Sequence, residues 1–281
     1  MNRVSRIILS LMLALAMLAS LTACAGQDGK PDGTAADGSL KGKIVTSGST
    51  SMEDIMTALG EGFTAANPGV QVEIQGGGSS TGVKNASDGI SDIGNASRSL
   101  KDEEKSLGLT EHVIAIDGIA VVVNSANAVT GLTSTQVADI FTGKITNWQE
   151  VGGADAPIVV ILREAGSGTR DGFESILKIA DQCVGSQEVN ETGIVKSTVA
   201  GNVNAIGYLS LGKASETVHA LAIDGVAPSE ATVKDGSYTL QRPFTCLTKG
   251  EESSLVKAFF EFIFSPDGQA MVAQKGYVPV K

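Results

Sequence analysis

The sequence predicts an α/β protein with a parallel, doubly wound sheet, and three observations carry that prediction. Short apolar runs alternate with amphipathic stretches, the order that β–α units require. Several of these runs end in a tip of glycine, serine and threonine just ahead of a helix-like stretch. No internal repeat is evident, so stacked-repeat architectures are set aside.

Each element follows from its local pattern. Lys43-Ile44-Val45-Thr46 reads as a strand entering the polar turn Ser47-Gly48-Ser49-Thr50-Ser51. Met52, Ile55, Met56, Leu59 and Phe63 recur at three-to-four spacing, which predicts a helix. Asn67-Pro68-Gly69 breaks it, and Val70 to Ile74 alternates as a strand. Gly76-Gly77-Gly78-Ser79-Ser80-Thr81-Gly82 is a second tip, and Ser91 to Arg98 is a third strand end with a polar close. Val113 to Asn124 is too apolar for a surface strand, yet holds Asp117 in its middle. Thr133 to Phe141 looks like a capped helix, and Asn147-Trp148 closes a turn before the apolar run from Pro157 to Leu162. Ile206 to Leu209 and Tyr238 to Phe244 read as strands, and Leu255 to Phe264 as an amphipathic helix.

The stretch Arg163-Glu164-Ala165-Gly166-Ser167-Gly168-Thr169-Arg170-Asp171 is the richest in chemistry. It lies between a buried strand and a helix expected to open at Gly172. A helix start offers unpaired N–H groups and the positive end of its dipole, a combination that holds anions. Ser167 and Thr169 add hydroxyls, Gly166 and Gly168 allow close backbone approach, and Arg163 adds a forked guanidinium. The expectation is an oxyanion cradle. The tips at Ser49-Thr50-Ser51 and Ser79-Ser80 stay open between ligand binding and plain helix capping.

The N-terminus has the form of an export signal. Arg3 and Arg6 precede the apolar run Ile7 to Leu21, and Leu21-Thr22-Ala23-Cys24 matches a lipobox in which Cys24 is lipidated. A simple membrane anchor is the alternative, but the run is short for a span. Residues 1–23 are thus expected to be a lipoprotein signal peptide, and 24–40 a flexible tether rich in Gly, Asp and Ala. Loss of the signal leaves 258 residues and moves the net charge from −10 to −12, because only Arg3 and Arg6 go with it. An acidic body argues against nucleic acid and against a grip on anionic lipid, so an anion site must act through local donors. Aromatics make up only 4 %, which disfavours stacking on sugars or bases. Cys183 and Cys246 define no disulfide framework, and Cys246 reads as a buried free thiol. His112 and His219 stand alone with no CxxC pair, so no metal site and no cofactor are expected.

The phrases Ser47-Gly48-Ser49-Thr50-Ser51, Gly76 to Gly82, Asp92-Ile93-Gly94-Asn95-Ala96-Ser97-Arg98, Asp139 to Trp148 and Arg163 to Arg170 stand in one order along the chain. Together they resemble the substrate-binding protein of the bacterial phosphate ABC importer, in its short form, over essentially the whole mature chain. The resemblance implies a two-lobed, periplasmic-binding-protein-like fold of type II with the ligand cleft between lobes. On that basis residues 41–116 plus 222–281 are expected to form lobe 1, and 117–221 lobe 2. It implies phosphate ligands at Ser49, Thr50, Ser51, Ser79, Ser80, Ser97, Arg163, Ser167, Gly168 and Thr169. Long family members carry an aspartate after the serine of the third tip, where this chain has Arg98. Arg98 is expected either to add charge to the site or to pair at its rim, and Asp117 to supply the missing acceptor for a protonated phosphate oxygen. An unpaired acceptor would reject sulfate, which has no proton to give. The rival role for Asp117 is partner to a nearby arginine.

The implied partners are inorganic phosphate, ABC permease subunits with their ATPase, and the cell membrane through the lipid on Cys24; the protein is expected to act as a monomer without catalysis. Three alternatives remain. They are a binding protein for sulfate or molybdate, a phosphate sensor, and a serine hydrolase using Ser80 within the GxSxG-like Gly78-Ser79-Ser80-Thr81-Gly82.

Overall fold

The computed structural model describes residues 39–281; the signal peptide, Cys24 and nearly all of the expected tether lie outside the described residues. The described residues open with two β–α steps and a third strand, all parallel. β1 (Gly42–Gly48) leads to α1 (Glu53–Ala66), β2 (Val70–Gln75) to α2 (Ser79–Ser87), and β3 (Ile93–Ala96) follows. β1 pairs in parallel with β2 on one side and β3 on the other. The apolar stripe expected of α1 is the one it buries: Ile55, Met56, Leu59 and Phe63. Asn67 closes this helix through its own N–H and side-chain amide on Phe63 O.

β4 (Leu109–Asn124) is the organising strand. At 16 residues it spans ~50 Å if fully extended. It is followed by β5 (Gly131–Leu132), α3 (Ser134–Phe141), β6 (Val159–Arg163), α4 (Gly168–Leu177), β7 (Gln187–Val189), α5 (Thr192–Ala200) and β8 (Ala205–Ser210). Then come β9 (Val218–Ala220), β10 (Ala222–Ile223), α6 (Glu230–Lys234), β11 (Gln241–Lys249), α7 (Ser254–Ile263), α8 (Pro266–Gln274) and β12 (Val278–Pro279). The first half of β4 pairs antiparallel with β11, from Leu109 opposite Lys249 to Gly118 opposite Gln241. Its second half, Ile119 to Val123, pairs antiparallel with β8. The strand order β2-β1-β3-β11-β4-β8-β6-β7 is therefore one path with a change of partner at its centre. The sheet is mixed, since the strands that join its halves run against their neighbours, while the β–α–β steps on either side are parallel as expected.

Two large apolar cores flank that change of partner. One gathers Ile44, Met52, Leu59, Phe244, Phe259 and Tyr277. The other gathers Val121, Phe141, Trp148, Phe173, Tyr208 and Leu240. In the second, Phe173 and Tyr208 stack with centroids 4.2 Å apart, and Trp148 Nε1 donates to Asn204 O at 3.0 Å. These are the two lobes, with β4 and β11 common to both.

Three expectations change. Residues 222–240, read as lobe 1, pack with the second core: β10 pairs with β5, and Val233, Tyr238 and Leu240 are buried there. The first lobe regains the chain at β11, which starts at Gln241 because Tyr238 turns its hydroxyl onto Ile119 O. The helix expected from Gly172 starts at Gly168, because Ser167 caps it by accepting from Arg170 N. The hydroxyl loop is thus the first turn of α4 itself. Cys246 is buried and free, and Cys183 is a free, half-buried thiol.

β3 meets α2 almost backbone to backbone, which places the third tip against the second. A Cβ on Gly94 would lie 2.3 Å from Gly82 O and 2.9 Å from Ala86 Cβ. Overpacking of that kind costs about 1–3 kcal/mol. Gly94→Ala is expected to lower stability by about that amount in urea unfolding; an unchanged midpoint would show that the contact is soft.

Candidate functional site

Five strand ends converge where the two cores meet. β1 delivers Ser49, Thr50 and Ser51; the start of α2 delivers Ser79 and Ser80; and β3 delivers Ser97. From the other lobe come Arg163 at the end of β6, Gly168 and Thr169 in the first turn of α4, and Thr192 in the first turn of α5. Helix first turns leave backbone N–H groups without intrahelical partners, and here three of them, from α2, α4 and α5, contribute side chains to one cluster.

The cluster crosses the lobe junction. Ser51 Oγ lies 2.9 Å from Thr169 Oγ1 and 3.2 Å from Thr192 Oγ1, and Thr50 Oγ1 lies 2.9 Å from Thr192 Oγ1. Within the first lobe, Ser49 Oγ donates to Ser97 Oγ at 2.9 Å, and Ser79 Oγ is 3.3 Å from the same atom. Ser97 N donates to Ser79 Oγ at 3.0 Å. Gly168 has no room for a side chain, since a Cβ would sit 2.3 Å from Ser79 Oγ. Ser80 N donates to Gly166 O at 3.0 Å, another link between lobes. All these hydroxyls except that of Ser80 belong to buried residues.

The arginines are the ordering groups. Arg163 is buried and forks onto Glu164, with Nε and Nη2 each 2.9 Å from a carboxylate oxygen. Its remaining edge reaches Thr192 Oγ1 at 3.1 Å and Thr50 Oγ1 at 3.4 Å. Arg98 takes the rim role: it forks onto Glu104 at 2.6 and 2.8 Å and donates Nε to Asp171 Oδ2 at 2.8 Å. Its Nη2 also donates to Ser80 Oγ at 3.3 Å. Asp171 belongs to α4, so Arg98 ties the second tip to the helix that carries Thr169, and Lys101 adds a second cation to Asp171 at 3.1 Å.

Asp117 departs from the acceptor role expected of it. Its Oδ2 receives Arg242 Nη2 at 3.0 Å and Nε at 3.2 Å, and its Oδ1 receives Ser210 Oγ at 2.8 Å. Both oxygens are engaged, so the arginine-partner reading describes its geometry. Ser167 Oγ accepts from Arg170 N at 3.4 Å as the cap of α4. Arg242 and Thr192 escaped the sequence reading. Arg242 sits in the strand-like run Tyr238 to Phe244, with Leu240 and Phe244 two residues away on either side, a charge among apolar strand positions as Asp117 is. Thr192 opens a helix after β7, a fifth tip with a single hydroxyl and a single glycine, Gly193, where the others cluster them.

The hydrolase geometry is not formed. His112 bonds Thr248 and Glu252 and stacks on Phe260, His219 lies on β9, and the side-chain partner of Ser80 is Arg98. Among the described residues no cluster of three or more His, Cys, Asp or Glu could hold a metal ion. A cavity of about 690 Å³ opens on the flank of the hydroxyl cluster, lined by Arg98, Lys101, Asp171 and Arg242 among others.

Burial pushes the Asp117 carboxyl from 3.8 up to about 6, against the pull of Arg242, Ser210 and the Leu211 backbone. Burial likewise lowers the pKa of Arg242. With its native value above its unfolded one, Asp117 holds a proton more readily when folded. Its contribution is fully present below pH 3.8 and is lost as pH rises to about 6. The span is at most about 3 kcal/mol. The stability difference between wild type and Asp117→Asn in urea is expected to move against wild type between pH 4 and 7; a flat difference would contradict it.

The chain is similar to proteins of known family. Residues 33–267 match the PBP superfamily domain. Phosphate-binding protein PstS of Bacillus subtilis is 34 % identical over 287 aligned positions, covering all of this chain and 95 % of that protein. A Clostridium perfringens phosphate ABC transporter substrate-binding protein, solved with phosphate bound, is 47 % identical with a TM-score of 0.84. That match covers 85 % of this chain and 100 % of the other. An ABC-type phosphate transport receptor from Vibrio cholerae is 35 % identical with a TM-score of 0.70, at the same coverage. The chain therefore belongs to the phosphate-binding protein family of the PBP superfamily.

Proposed function

We infer that this protein captures inorganic phosphate between its two lobes and delivers it to an ABC import permease. The observation that carries the reading is the hydroxyl cluster that crosses the lobe junction, above all Ser51 against Thr169 at 2.9 Å. Serine and threonine hydroxyls donate to an anion and also accept, so they suit a ligand that carries both oxyanion and P–OH groups. Ser49, Thr50, Ser51, Ser79, Ser97, Arg163, Gly168 and Thr169 form the ligand set, with Ser80 at its edge. Arg98 and Ser167 hold donor-bearing segments in place. The lobes divide near residues 117–118 and 240–241, where β4 and β11 cross.

A ligand held by both lobes stabilises their closed arrangement, and the closed arrangement is what a permease would recognise. Capture and delivery need no bond to be made or broken, so the proposed role calls for no catalysis, and one chain carries both lobes of the proposed site. Among the described residues no helix is long and apolar enough to cross a membrane, and the attachment proposed is the lipid on Cys24.

Two measurements test these readings. Titration calorimetry is expected to give one phosphate site and at least a hundredfold weaker sulfate; comparable sulfate binding would favour the general oxyanion reading. In cells fed an alkyne-tagged fatty acid, the label is expected on wild type and not on Cys24→Ser. Label that persists on the variant would place the lipid elsewhere.

A further inference from the structure

The geometry points to Arg242 as a direct anion ligand presented by the hinge itself, with Asp117 as its fixed counter-charge. This assignment rests on the phosphate reading above. Arg242 lies on β11 in register with Asp117 on β4, and these are the two strands shared by both lobes. The residue is only 4 % exposed, although its guanidinium carries a full charge.

The two edges of that guanidinium face different things. Nε and Nη2 grip Asp117 Oδ2. Nη1 reaches Ser97 Oγ at 3.1 Å, and Nη2 also reaches Ser51 Oγ at 3.3 Å. Ser97 and Ser51 are the nodes of the cluster: the first joins Ser49 and Ser79, the second joins Thr169 and Thr192. A tetrahedral oxyanion bound among these hydroxyls would lie against the Nη1–Nη2 edge, the edge that takes oxyanions in a forked grip. Arg163 approaches the same cluster through Thr50 and Thr192, so one guanidinium stands on each flank. Arg242 also lines the cavity beside the cluster.

Asp117 makes this arrangement possible. A buried guanidinium without a counter-charge is strongly disfavoured, and an acidic partner on the far edge leaves the near edge free to donate. The carboxylate thus belongs to the arginine and not to the ligand. Because both residues sit on the crossing strands, binding at this edge acts on the hinge without an intermediary.

The test uses the full chain in detergent, with inorganic phosphate as titrant and the ligand-free melting temperature as a folding check. Arg242→Gln is expected to weaken phosphate by about 30-fold or more. In a Ser51→Ala, Ser97→Ala background the same change is expected to cost a further tenfold or so, because the arginine still meets the anion. If its effect vanishes in that background, Arg242 acts only through the two hydroxyls and the assignment falls. Arg242→Lys retains the charge that Asp117 needs, so it decides the matter should the Gln variant not fold. One ammonium lacks the fork, and at least a fivefold loss is expected on that ground; affinity equal to wild type would overturn the proposal. Wild type that binds no phosphate sinks the functional reading instead, a result distinct from wild type that binds while Arg242→Gln binds equally well.

Discussion

A buried ion pair stands where the chain crosses between lobes. Asp117 and Arg242 occupy opposed positions on β4 and β11, and each is almost wholly removed from water. Removing one partner of such a pair strands a charge in an apolar setting, typically at a cost of about 3–5 kcal/mol. The pair thus ties the two crossing strands at one register. Ser210, at the end of β8, takes the remaining oxygen of Asp117 and connects the crossing to the second lobe. Part of the hydroxyl cluster is held from this point. Ser97 and Ser51 lean on Arg242, and Tyr277 donates its hydroxyl to Ser51 O at 3.3 Å from the C-terminal end of the chain.

Around that pair the site is made almost entirely of groups that donate and accept at once. Hydroxyls satisfy one another across the junction, so the buried polar surface of each lobe is met by the other. Charge enters only through arginines that each have an acidic partner: Glu164 for Arg163, Asp117 for Arg242, and Glu104 with Asp171 for Arg98. Balanced pairs suit an acidic protein that must admit an anion. Attraction is confined to hydrogen-bond range, where geometry can select, and the long-range field is left weak. The links of Arg98 and Lys101 to Asp171, and of Lys213 to Asp54 at 2.6 Å, brace the same junction outside the hydroxyl cluster.

Much of the fold was legible because its signals are local. The α1 stripe, the capping box of Thr133 and Gln136 and the apolar run of β4 each need only neighbouring residues to declare themselves. The packing of residues 222–240 was not legible because it depends on distant pairing: Ala222 lies opposite Gly131, and Leu240 completes a core drawn from residues a hundred positions away. The tip serines were readable through runs of glycine and hydroxyl residues, whereas Thr192 had one glycine beside it and its place at a helix start.

The sequence by itself determined the alternation of strands and helices, the glycine and hydroxyl tips, and the presence of a carboxylate in an apolar strand. Backbone sterics and side-chain periodicity act over a few residues, so these features are written locally. Only the tertiary structure decided what the carboxylate serves. Asp117 and Arg242 are 125 positions apart, and a register across two strands makes them partners. A charge can be left in an apolar strand only if the fold brings its opposite to it, and that meeting is a property of the folded pair of strands.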